Sequence, residues 1–169
     1  MSTDTQTLTF TQSIKASPKQ VFYAFTHASA FNEWLCDFST VIPNHGGRIY
    51  LWWNTGYFTS GDFTVVEKDE KLSFNWHGRQ EPSDTTVTVT LKDEEGSTLV
   101  TLEHSGLGTD GSWIKIIQEC KEGWEKGLEN LTSVLETGKD LRNIRRPMLG
   151  ILVDEFNEDI AKQLGVPVD

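Results

Sequence analysis

Residues 112–137 constrain the fold more than any other stretch of this chain. Trp113, Ile117, Cys120, Trp124, Leu128, Leu131 and Leu135 recur at intervals of three or four, while Lys115, Glu119, Lys121, Glu122, Glu125, Lys126 and Glu129 occupy the other side. At roughly 3.6 residues per turn, this spacing gathers the apolar side chains into one stripe along about seven helical turns. Gly138 follows as a stop signal. Such a stripe must be buried, so the rest of the chain has to supply a surface that covers it.

That surface is legible upstream. Leu8, Phe10, Gln12 and Ile14 alternate within residues 7–15, which predicts a first strand. Ser17-Pro18-Lys19-Gln20 predicts a helix start, with Ser17 as cap, Pro18 at the first helical position and Gln20 completing a capping box. A second short helix is predicted over 28–35, carrying Phe31, Trp34 and Leu35. After Gly46-Gly47 the period drops to two. Ile49, Leu51 and Trp53 share one face of 48–54, a strand over 57–68 follows, and Leu72, Phe74 and Trp76 share one face of 71–77. Val87, Val89 and Leu91 alternate with threonines over 84–92, and the turn Asp93-Glu94-Glu95-Gly96 leads into a strand over 97–104. Short strands joined by tight polar turns predict an antiparallel meander. The expected class is α+β: a curved antiparallel sheet of about six strands with one face covered by a long C-terminal helix, and two short helices after the first strand. Residues 1–138 form that domain, and 139–169 are a tail.

Charge narrows the partners. The net charge is −10, and a nucleic-acid groove or anionic membrane surface needs a concentrated basic patch. The densest basic cluster is Arg142, Arg145 and Arg146, so nucleic acid is excluded as an expected partner. Cys36 and Cys120 form neither a closely spaced metal pair nor a disulfide framework. The opening MSTDTQTLTF has no basic and apolar secretory signature. No stretch approaches the roughly 18 apolar residues of a membrane span. A reduced, cytoplasmic protein without integral membrane association is expected.

Several local patterns occur together in order: Ser17-Pro18 before Val21-Phe22, Trp34, Pro43 through Gly46-Gly47-Arg48, Gly56 and Gly61. Leu72-x-Phe74-x-Trp76, Gly96-Ser97-Thr98, His104-Ser105-Gly106 and Trp124 continue the series. With these residues the chain resembles the SRPBCC superfamily (START, birch-pollen-allergen-like) over 7–137, and more narrowly its heat-shock-protein ATPase activator homologue-like family. The resemblance implies a helix-grip fold with an apolar cavity between sheet and long helix. It also implies small apolar ligands, since superfamily members bind lipids, sterols and polyketides and a few catalyse on them. The eukaryotic co-chaperones of that name carry a further N-terminal domain, so chaperone activation is not carried over. Residues 146–168 resemble the start of a PDZ domain of the protease-associated type, which needs more strands than this tail can supply. Either a truncated domain or a packed remnant is expected there, with Phe156, Ile160 and Leu164 on one helical stripe.

Catalytic signatures are sparse. His27, His45, His77 and His104 are scattered, without HExxH or HxH, and no G-x-S-x-G, phosphate-binding loop or G-x-G-x-x-G occurs. No catalytic residue, metal site or cofactor is therefore assigned. Cys120 reads as a small buried hydrophobe rather than a nucleophile. His104 reads as a strand-end residue, with a pocket proton shuttle as its sharper alternative.

The aromatics carry the functional reading. Most inward rings of a small sheet-on-helix domain are core, yet Trp34, Trp53, Trp76, Trp113 and Trp124 supply more indole than one compact core requires. The leading expectation is a cavity for a small apolar or aromatic, lipid-like molecule, lined by Trp34, Trp53, Phe63, Phe74, Trp76, His104, Trp113, Ile117, Cys120 and Trp124. A cyclase- or dehydratase-like enzyme using His104 or Glu103 is the second reading. A protein-interaction module, chaperone-linked and docking through the tail, is the third. A homodimer through a sheet edge or the tail stays open.

Overall fold

The computed structural model describes residues 4–145. Strand β1 (Thr5–Ile14) leads directly into α1 (Pro18–Ala24), and the predicted capping box forms there. The Gln20 amide donates to the Ser17 hydroxyl at 3.3 Å, and the Ser17 amide donates back to the Gln20 side chain at 3.0 Å. Helix α2 (Ala28–Trp34) buries Phe31 and Trp34. The Trp34 indole N–H donates to the Ala24 carbonyl at 2.9 Å, which fixes α2 against α1.

The remaining strands are β2 (Phe38–Val41), β3 (Arg48–Trp52), β4 (Phe58–Glu67), β5 (Lys71–Gly78), β6 (Thr85–Glu94) and β7 (Ser97–Gly108). They form one antiparallel sheet in the order β1-β7-β6-β5-β4-β3-β2, with β1 and β2 as its edges among the described residues. A single turn of 3₁₀-helix, Gly111–Trp113, opens α3 (Ile114–Thr137), which ends at Gly138 with φ 72°. Short α4 (Leu141–Arg145) folds back beside it. Alternation along β5, β6 and β7 turns Leu72, Phe74, Val87, Val89, Val100 and Leu102 inward. Trp124, Leu128 and Leu131 of α3 pack onto that face, which is the helix-grip arrangement.

Three details differ from the expectation. The sheet has seven strands, because β2 is only four residues long and too short to show a period. Strand β7 runs past His104 to Gly108: two residues, Ser105 and Gly106, face one position of β1 in a bulge. The sequence reading ends this strand at His104, but the φ of 82° at Gly106 lets it kink and continue. Finally, the helix stripe divides. Trp113 joins Leu107 and Ile116 in a smaller cluster at the N-terminal end of α3, apart from the main core.

The PDZ-like segment, 146–168, with Phe156, Ile160 and Leu164, lies outside the described residues. Among the described residues no helix is long and apolar enough to cross a membrane.

Candidate functional site

A histidine clamps the long helix to the sheet. Sheet register places Trp76 opposite Thr85 and Val87 opposite His104. The Thr85 hydroxyl donates to the Trp76 carbonyl at 3.1 Å, so its oxygen is left to accept from His104 Nε2–H at 2.7 Å. His104 Nδ1 is thereby the acceptor, and the Trp124 indole N–H donates to it at 3.0 Å. Both ring nitrogens are used, the ring is fully buried, and burial pulls its pKa from 6.5 down to about 4. His104 is thus a neutral positioning residue that orients Trp124.

Around Trp124 the indoles form walls. The Trp76 ring centroid lies 5.4 Å from that of Trp124 and 6.3 Å from that of Trp53. The Trp53 N–H donates to the Leu35 carbonyl at 2.8 Å. These rings, with Trp34, border a cavity of about 520 Å³ between α3, the β3–β4 turn and the β5–β6 loop.

One wall is polar. In the β5–β6 loop the Glu81 carboxyl folds back over Gly78, where any Cβ would overlap it. The Tyr57 hydroxyl donates to Glu81 Oε1 at 2.6 Å, and the Gln80 amide donates to Oε2 at 3.1 Å. The Trp76 N–H forks between the Tyr57 hydroxyl at 3.0 Å and Glu81 Oε1 at 3.2 Å. Burial, then its bond to Glu81, raises the Tyr57 phenol far above its ordinary range, so it stays a donor. At the α4 end, the Asn130 amide donates to the Trp34 carbonyl at 2.8 Å, and Arg142 donates to the Cys36 and Asn32 carbonyls at 2.9 and 2.7 Å.

Neither thiol is poised for attack. Burial pushes Cys36 up to about 11 and Cys120 up to about 12, the latter helped by the charges of Glu81 and Glu119. Among the described residues no group of three or more His, Cys, Asp or Glu is arranged to hold a metal ion.

Of the residues expected at the cavity, Trp34, Trp53, Trp76, Cys120 and Trp124 line it. The other five lie elsewhere. Phe63 and Phe74 meet edge-on in the core, 5.6 Å apart, and His104 sits behind Trp76 and Trp124. Trp113 and Ile117 belong to the smaller cluster around Leu107, and Ile116 reaches the cavity instead. Glu103 is on the outer face of β7. Sequence reasoning missed Tyr57, Glu81, Asn130 and Arg142. Tyr57 had a signal, since it shares strand parity with buried Thr59 and Phe63. Glu81 had none, because it lies in a stretch that reads only as a polar turn.

A curved antiparallel sheet gripping a long helix, with a hollow beside the helix, defines a START-like helix-grip protein. The model of the family described as Activator of Hsp90 ATPase homolog 1-like protein matches residues 15–136, and the chain belongs to that family. Solved structures agree on the fold. Protein MLL2253 from Mesorhizobium loti is 24% identical with a TM-score of 0.71, covering 79% of this chain and 99% of that one. The Aha1 dimer from Colwellia psychrerythraea is 22% identical with a TM-score of 0.71, covering 79% and 98%. An HSP90 activator from Plasmodium falciparum, PFC0360w, is 24% identical with a TM-score of 0.64, covering 76% and 95%. No curated protein matches.

Proposed function

We propose that this protein binds a small apolar or aromatic molecule in the cavity between α3 and the sheet, and holds it without chemical change. What carries this reading is how the walls are fixed. Trp34, Trp53, Trp76 and Trp124 each spend their indole N–H on a protein acceptor, so the rings are held in place around about 520 Å³ of space. Pre-organised aromatic walls reduce the ordering cost of binding. A catalytic reading has less support, because neither His104 nor Glu103 lines the cavity. A protein partner or a second copy, suggested by the names of the Plasmodium and Colwellia relatives, is the reading that failure to bind small molecules would favour.

Gly123 provides the test. It lines the cavity on α3, and a Cβ added there meets nothing within 4 Å. Gly123→Trp should fill the cavity while keeping the fold, since glycine inside a helix is already unfavourable by about 1 kcal/mol relative to alanine. Calorimetric titration with a panel of apolar aromatics should give binding to the wild type and a loss of at least tenfold in the variant. Equal binding by a folded variant would place the site elsewhere.

A further inference from the structure

Charges around the cavity are paired, with one exception. Lys126 bridges Glu122 at 3.8 Å, Arg142 bridges Asp140 at 2.9 Å, and Glu119 is met by Lys115 at 3.4 Å. Glu81 has no cation within ion-pair distance among the described residues, although only 9% of it is exposed. Its hydrogen bonds come from the Tyr57 hydroxyl, the Trp76 indole and the Gln80 amide, which are neutral donors. A carboxylate held out of water without a counter-charge is costly, and a cation brought beside it there gains more than it would in solvent. Trp53, Tyr57, Trp76 and Trp124 line the same cavity, and aromatic rings attract cations within about 6 Å of their centroids. The chain's net charge of −10 further raises the local concentration of cations.

We infer that the cavity selects organic cations: an ammonium or quaternary ammonium group on an apolar body, with Glu81 as its counter-ion and the surrounding rings as its cage. This rests on the cavity being a binding site and names the class of ligand it takes. Glycine at 78 belongs to the same device, because any larger residue would displace the Glu81 carboxyl.

The test uses two probes of one shape, benzyltrimethylammonium and its neutral isostere neopentylbenzene, titrated calorimetrically into the wild type and Glu81→Gln. The wild type should bind the cation about tenfold or more tightly than the neutral probe. Glu81→Gln should bring the two affinities within about twofold by weakening the cation alone. Wild type that takes neopentylbenzene as well as the cation, or better, overturns the inference while leaving the binding cavity standing. Binding of neither probe overturns both. The wild-type comparison decides the matter even if Glu81→Gln fails to fold.

Discussion

At the scale of single residues, His104 is the sharpest case. Its neutral ring is enclosed by Thr85 and Trp124, and burial lowers its pKa from 6.5 to about 4. Between those values the unfolded chain binds a proton that the folded chain refuses. Stability therefore rises with pH across that window and is lost on acidification through it. The gap corresponds to up to about 3 kcal/mol. Urea unfolding at pH 7 and pH 4 should show His104→Gln losing less stability than the wild type, by up to that amount. Equal losses would mean that His104 does not titrate in this way. Thr59 is the opposite case: its hydroxyl is buried without a hydrogen-bond partner among the described residues. Thr59→Val keeps the shape and removes the orphaned group, so it should leave stability unchanged or raise it by about 1 kcal/mol. A loss beyond 1 kcal/mol in thermal unfolding would show that the hydroxyl does useful work.

Among the elements, short α4 is held in place by long-range side-chain bonds from Asn130 and Arg142. Asn130, buried on α3, donates to the Trp34 carbonyl and to Asp140 and accepts from the Leu141 amide. Removing it takes the amide donor from the carbonyl of buried Trp34 and the acceptor from the half-buried Leu141 amide, so Asn130→Ala should cost about 2 kcal/mol. Hydrogen exchange at Leu141 should quicken in that variant; unchanged exchange would mean that Arg142 alone secures α4. Sequence periodicity found α3, both short helices and six strands, because each repeats a pattern over enough residues to show it. It passed over β2, where four residues carry too little signal, and it ended β7 at His104, because the alternation breaks at the bulge of Ser105 and Gly106. Asn130 was invisible for a different reason: a polar residue inside an apolar stripe gains its meaning only from partners far along the chain.

The whole molecule combines a fold that the sequence largely announced with a site that it announced only in part. The tryptophans of the wall follow from strand and helix parity. The polar wall does not, because Glu81 reaches the cavity only through the backward fold of a loop. Phe63, Phe74 and His104 face inward as parity requires, but the sheet's curvature places them in the core, away from the hollow. Inward is therefore not the same as ligand-facing, and only the assembled sheet separates the two.

The central claim is that the space between α3 and the sheet holds a small molecule. Native mass spectrometry of the freshly purified chain, compared with its mass under denaturing conditions, tests it most directly. The account predicts a non-covalent adduct of small-molecule mass on the wild type that is absent from Gly123→Trp. A bare mass for the wild type, with no thermal shift across apolar, cationic and lipid-like compounds, would contradict it.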